Sequence, residues 1–424
     1  MKKFNKIKLW HFILIVWLII LVFRFNVLIH SAELLILGIV LLFQNPDFLS
    51  SHLSFQLFDS LLSFLIMLLI PIIIFLQSLR NKLFNSEINF SKSFIILLAF
   101  CFLVPTLITR EHPDYQKNIS EIKLLPPFSI IYQIQLKSDD KLSANSSEEK
   151  FLKLKEKVLL QEFDEKKIFV KYYSSENNVY QYNQGERNVN LSADKVQSIN
   201  SQLLLFGTDE FGRDIFSRLI FGARISVFIG MMAVIISLLL GLILGYIAST
   251  GSTILSWLLN RLTDLFLSFP SIFLVILVLA LFGNNLLSVI VVLGFSGWMS
   301  LYKIVSSEVA SVKQKDFFIT SQKIGLSSSE LLIREIIPVI IIPVTVNLVF
   351  QFSNVILAES ALSFLGLGTG NEFPSWGSMI EKGQEYITDA WWMIFIPGIV
   401  LVLTLLSFHN IAKEVNKFFN PNIS

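Results

Sequence analysis

The chain has 424 residues, 53% hydrophobic and 16% charged, with a mean hydropathy of +0.65; this is too apolar for one or two soluble domains and marks a polytopic membrane protein. Its 34 Lys and Arg nearly cancel its 32 Asp and Glu, which leaves no bulk electrostatic attraction to nucleic acid. The single cysteine, Cys101, excludes an intrachain disulfide framework and any cysteine-cluster metal site.

The opening MKKFNKIK followed by the apolar run Leu9 to Phe23 has the layout of a signal peptide. No A-x-A-like cleavage site follows clearly, so an uncleaved signal anchor is expected. Crossing a hydrocarbon core of about 30 Å takes roughly 20 helical residues. Runs near 9–29, 57–79, 93–109, 224–248, 258–282, 285–302, 334–358 and 391–411 meet or approach that length. They predict an all-α polytopic membrane protein of about eight spans. The stretch AELLILGIVLLF (32–43) is short and begins beside Glu33, so it is expected to lie at the interface or re-enter.

Positive charge resists translocation. Lys2, Lys3, Lys6 and Lys8 precede the first span, Arg80, Lys82 and Lys92 follow the second, and Lys413 and Lys417 follow the last. Residues 30–56 hold no Lys or Arg, and the loop 359–390 holds only Lys382 against Glu359, Glu372, Glu381, Glu385 and Asp389. Both termini are therefore expected in the cytoplasm. Residues 110–206 then fall outside the membrane as a small α+β extracytoplasmic insertion. PPFSIIYQIQLKSDDKL and KIFVKYYSSENNVYQYN alternate as strands do, and SSEEKFLKLKEKVLLQEF between them has helical spacing with Ser147 as cap. No His cluster or carboxylate constellation points to catalysis there.

GTDEFGRD (207–214) invites comparison with a phosphate-binding loop, but no G-x-x-x-x-G-K-[ST] occurs anywhere in the chain. Asp209, Arg213, Asp214 and Arg218 read better as an ion-paired turn before the fourth span. Gly241 and Gly245 give a small-x-x-x-small face that lets helices approach closely. Arg261 and Asp264 share a helical face; Arg261 suits the inner interface, Asp264 the pore or an interhelical bond. Glu359, Gly366, Gly368, Gly370, Pro374, Trp376 and Gly377 form either a gating segment or a tight loop anchored by Trp376, Trp391 and Trp392.

Residues 316–338, DFFITSQKIGLSSSELLIREIIP, read as two short helices in a chain otherwise written for lipid. Asp316 is placed to cap the first; Phe317, Ser321 and Ile324 recur at i, i+4 and i+7; Gly325 supplies the left-handed residue that ends it. Ser327-x-x-Glu330 is a capping box for the second, which runs to Pro338. Thr320 and Ser321 keep the first helix slim. The expected product is a rigid helix-turn-helix with a narrow apolar knob.

The Gly325 to Pro338 spacing, with Ile336 and Ile337 before the proline, resembles the cytoplasmic coupling ("EAA") loop of ABC-importer permeases; Ile319, Thr320 and Ser321 stand where the Glu-Ala-Ala triplet would be. GTDEFGRDIFSRLIFGARIS (207–226), RLTDLFLSFP (261–270) and ESALSFLGLGTGNEFPSWGSMI (359–380) are similar to successive blocks of the C-type permease subunit of dipeptide, oligopeptide and nickel importers. The resemblance implies an ABC type I importer permease fold in the bacterial inner membrane. Residues 207–415 would be the core, with coupling loop 313–338. Residues 93–109 would be the first core helix, 1–92 an extra transmembrane region, 110–206 the insertion and 416–424 a tail. It implies a non-enzymatic chain that binds no cofactor, with ATP and Mg on two partner ATPases. A second permease subunit, an extracytoplasmic binding protein and membrane lipid would be its other partners. The solute would be a short peptide, with nickel or another small solute as the alternative; a secondary transporter is a rival function for the chain. Asp264, Glu359, Gly366 and Gly368 are the candidates for the translocation path or gate.

Overall fold

The computed structural model describes residues 8–137, 146–160, 166–176, 178–185, 187–370 and 373–419; Lys2, Lys3, Lys6, Glu372 and the end of the tail lie outside these. In chain order the principal helices are α1 (Leu9–Gln44), α2 (Phe55–Phe75), α3 (Phe90–Leu103), α4 (Ser147–Val158), α5 (Ile215–Thr250) and α6 (Thr253–Ser268). There follow α7 (Ser271–Phe282), α8 (Leu286–Lys313), α9 (Asp316–Lys323), α10 (Ile337–Phe364), α11 (Trp376–Gln384) and α12 (Trp392–Phe419). Among the described residues, six helices are long and apolar enough to cross a membrane, and α6 with α7 makes a seventh if that bent pair is one span. The third expected span, 93–109, is represented by the 14-residue α3, about 21 Å long at 1.5 Å per residue. Val104 leaves helical geometry, and the chain restarts at Pro105 as a single turn.

Two compact units form, Met1–Arg224 with Lys382–Pro397 and Ile225–Glu381 with Gly398–Ser424. In the first, residues 32–43 are not interfacial or re-entrant: they continue α1, whose only non-helical backbone is at Arg24 (φ −118°, ψ 19°). The apolar run from Leu9 to Phe43 is interrupted too sparsely to break a helix, and Arg24 kinks it instead, with its Nε donating to the Leu107 carbonyl at 3.1 Å. Ile13 and Ile20 before the kink pack with Met67, Ile74 and Phe100 of α2 and α3. Beyond it, Leu34 and Leu41 are buried with Leu57 of α2 and with Phe151 and Val158 of α4. The distal half of α1 is thus the floor on which the insertion's helix rests. Ser146, not Ser147, caps α4 by accepting from the Glu149 amide.

The insertion carries two three-stranded antiparallel sheets, ordered β2-β1-β6 and β3-β4-β5. Strands β1 (Ser129–Leu136), β2 (Lys167–Val170), β3 (Tyr173–Glu176) and β4 (Val179–Gln184) fall in the alternating segments read from sequence. Strands β5 (Arg187–Ser192) and β6 (Val196–Leu204) were not anticipated. Tyr132 of β1 sits opposite Val170 on one side and Ser201 on the other, a register that buries Ile131, Ile134, Phe169 and Leu204.

The turn before α5 is ion-paired as expected for three of its four charges. Asp209 Oδ1 accepts from the amides of Phe211 and Arg213, both at 2.9 Å, while Oδ2 accepts from Arg213 Nε at 2.7 Å. Arg218 reaches Asp114 at 2.8 Å. Asp214 instead caps α5, its carboxylate accepting from the Phe216 and Ser217 amides and the Ser217 hydroxyl. Burial pushes the Asp214 carboxyl above its ordinary range.

In the second unit α5 lies tight on α8, since a Cβ on Gly241 would come within 2.7 Å of Leu301 and one on Gly245 within 2.8 Å of Val305. Ser237 Oγ donates to the Gly294 carbonyl at 2.6 Å and Ser249 Oγ to that of Ser306 at 3.0 Å, tying the same pair. The expected span 258–282 is not one helix: α6 and α7 meet at 87°. Pro270 lacks the amide a continuing helix needs and disfavours helical geometry at Phe269.

One ion pair of the first unit was not read from the sequence. Arg224 of α5 makes two 2.6 Å bonds to the Asp59 carboxylate of α2, and Asp59 is 6% exposed. Replacing Arg224 with Ala strands that carboxylate, so the unfolding free energy in detergent should fall by about 3–5 kcal/mol; an Asp59→Asn, Arg224→Gln double variant should recover much of the loss in the same denaturation measurement.

Candidate functional site

Helix α9 is held from below and open above. Phe318, 5% exposed, sits in a seam with Leu301, Val305, Val309 and Val312 of α8 and Ile340 and Val344 of α10. Phe317 and Ile324 face outward at 45% and 77% exposure, which leaves an apolar knob. Asp316 does not cap this helix. Lys315 occupies the cap position without a side-chain bond, and Asp316 is the first helical residue, where its charge still favours the positive end of the helix. Its carbonyl accepts from Thr320 Oγ1 at 2.7 Å.

Gly325 adopts φ +94°. Its amide bonds the Gln322 carbonyl and that of Leu326 bonds Ser321, the paired closure of a Schellman motif. The capping box then forms as read: Ser327 N donates to Glu330 Oε2 at 2.9 Å, and the Glu330 amide donates to Ser327 Oγ at 3.4 Å. The second helix differs from the expected short element. A single α-turn, Ser328–Leu331, passes through a π-helical turn, Leu332–Ile336, into α10, and Pro338 lies in the first turn of that helix; because the helix is continuous there, its missing amide leaves an upstream carbonyl without the usual donor. Ser321 Oγ donates to Glu335 Oε1 at 2.8 Å, fastening α9 to the π-turn. Phe318 and Glu335 were missed because Phe317 and Phe318 are adjacent phenylalanines, and helical spacing alone does not say which faces the protein.

The other candidates separate into unlike environments. Asp264 of α6 pairs with Lys303 of α8 at 2.8 Å, both side chains substantially exposed, and Arg261 is exposed. Glu359 is wholly buried near the end of α10 and accepts hydroxyl bonds from Ser226, Ser360 and Ser363. Ser226 in turn accepts from the Trp376 amide at 3.4 Å. Trp376 is fully buried and Trp392 nearly so; Trp391 alone of the three is exposed, so the first two are not interfacial anchors. Gly366, at φ +74°, closes α10 with a second Schellman motif, and Asn284 Nδ2 donates to its carbonyl at 2.9 Å. A Cβ on Gly368 would come within 2.0 Å of Ser363 Oγ. Glu359 therefore ties α10 to α5 through Ser226, Gly366 ties the end of α10 to Asn284, and Gly368 packs the following loop on Ser363; the serines around Glu359 were legible only as scattered polar residues.

Residues 214–420 match the model of the binding-protein-dependent transport system inner membrane component family. A putative peptide transport system permease protein of Brucella suis is 36% identical over 219 residues, 52% of this chain and 74% of the relative. The dipeptide transport system permease protein DppC of Alkalihalophilus pseudofirmus is 33% identical over 218 residues, 51% of this chain and 72% of its own. The oligopeptide transport system permease protein OppC of Bacillus subtilis is 32% identical over 233 residues, 55% of this chain and 75% of its own. With its apolar helices and this relationship, the chain belongs to the binding-protein-dependent transport system inner membrane component family, as a multi-pass permease subunit of an ABC importer and not itself an enzyme.

Proposed function

We propose that this permease imports short peptides and receives its driving force through α9. Two ATPase chains, which hold ATP and Mg, dock on α9 from the cytoplasm. A second permease subunit completes the pathway, and an extracytoplasmic binding protein delivers the solute. The relatives, named as peptide permeases, speak for peptides over nickel. The Lys and Arg bias around the spans supports cytoplasmic termini and an extracytoplasmic insertion at 110–206. Asp264, Glu359, Gly366 and Gly368 take positioning roles under this reading. Uptake of a labelled alanine tripeptide by cells with and without the chain tests the substrate class; equal uptake overturns it.

The observation that carries the coupling role is the two-sided build of α9. Phe317 and Ile324 present apolar surface outward, and burying such surface gains about 25 cal/mol per Å², enough to seat a small knob in a partner's groove. Phe318 packs the same helix into the cluster it shares with α8 and α10, and the Ser321–Glu335 bond fastens it to the π-turn that leads into α10. A push on the knob therefore moves two spans as a body, which suits alternating access by rigid-body rotation. Flexible attachment would dissipate it.

Gly325→Val forces a β-branched residue to φ +94°, at a cost of about 1–3 kcal/mol. Peptide uptake should fall severalfold while ATP hydrolysis by the assembled complex persists, measured together in proteoliposomes; uptake that stays at the wild-type level removes the turn from the coupling route. Phe318→Ala empties a filled site, a change worth about 3–5 kcal/mol locally. A disulfide or crosslinker placed between Ile324→Cys and the ATPase should still form, yet transport per ATP should drop further than in Gly325→Val.

A further inference from the structure

We infer that Asn347, Gln351 and Asn354, three carboxamides on one face of α10, form a station in the translocation path that binds the backbone of a passing peptide. The inference rests on the peptide-importer reading above. These residues fall at i, i+4 and i+7, so they share a face. Ser296 and Ser300 of α8 and the bend at Phe269–Pro270 complete a cavity of about 490 Å³ within the second unit.

Two observations mark the cavity as a binding site rather than a packing fault. Gln351 is only 9% exposed, yet among the described residues neither its Nε2 nor its Oε1 has a hydrogen-bond partner, and Asn347 Oδ1 has none either. Each such buried group left unpaired costs about 1–3 kcal/mol, and these three atoms belong to side chains that line the same cavity. Space is also kept for the amide: any side chain at Gly297 would place its Cβ 1.9 Å from Gln351 Nε2.

The lining fixes the class of ligand. It contains no carboxylate, ammonium, guanidinium, imidazole or thiol, so it offers nickel none of its usual strong donors and selects no charge. A carboxamide presents one acceptor and an N–H donor pair, the complement of a peptide unit, which also carries one donor and one acceptor whatever its side chain. Phe266, Phe269 and Phe350 give the side chains an apolar wall. Contact of this kind is weak and replaceable, as passage requires.

The test uses the full chain in its own importer, with alanine tripeptide as probe. Gln351→Leu and Asn347→Leu should each lower uptake about tenfold, the worth of one good hydrogen bond, while ATP hydrolysis stimulated by the loaded binding protein stays at the wild-type level; retained hydrolysis shows that the complex is folded and coupled. In a Cys101→Ala background, Asn354→Cys should react with a small aqueous thiol reagent and be protected by saturating tripeptide. Wild-type uptake in both leucine variants, or labelling indifferent to tripeptide, overturns the station. Absence of tripeptide uptake in the unmodified importer would instead overturn the peptide reading beneath it.

Discussion

The mechanical character of the molecule depends on one side chain at a junction of three helices. Phe318 leaves α9 and fills the seam between α8 and α10 among valines, leucines and isoleucines. In a bilayer, helices gain no hydrophobic attraction from one another, because lipid is as apolar as leucine; what fixes them is close packing and polar contact. A phenylalanine at the end of two spans supplies the first, and the Ser321–Glu335 bond supplies the second. Without them the outward face formed by Phe317 and Ile324 would sit on a hinge.

The same rule governs the charges placed among the spans. Asp59 meets Arg224 through two bonds, Asp264 meets Lys303, and Glu359 sits in a cage of serines. Asp59 and Glu359 are buried and partnered, because an ionisable group in a low-dielectric interior is tolerated only with a partner; the Asp264–Lys303 pair is substantially exposed. The carboxamides of Asn347 and Gln351 carry no charge and fall outside this rule, yet among the described residues Asn347 Oδ1 and both polar atoms of Gln351 lack a partner.

Much of this was legible in the sequence, and the losses share a cause. Gly325 and the Ser327–Glu330 box could be read because turn and cap chemistry is local: a positive φ or a reciprocal bond needs no knowledge of distant residues. Lipid-spanning runs were equally plain. The continuity of α1 past Arg24 was not, since a kink and a break leave similar gaps in an apolar run. Neither was the pairing of Arg224 with Asp59, 165 positions apart, nor the choice between Phe317 and Phe318. The amides of NLVFQFSN stood at helical spacing throughout, but nothing in the chain announced a cavity opposite them.

The π-turn at Leu332–Ile336 carries a geometric consequence. Leu331 and Ile336 both face the aliphatic seam, although five residues of ordinary α-helix would swing one well away from the other at about 100° per residue. The wider turn absorbs one residue and so sets the clocking of everything beyond it. Shortening that turn by one residue would leave the helix continuous, yet would rotate the lower half against the upper by more than a quarter circle, like a key cut correctly and fitted to its bow at the wrong angle.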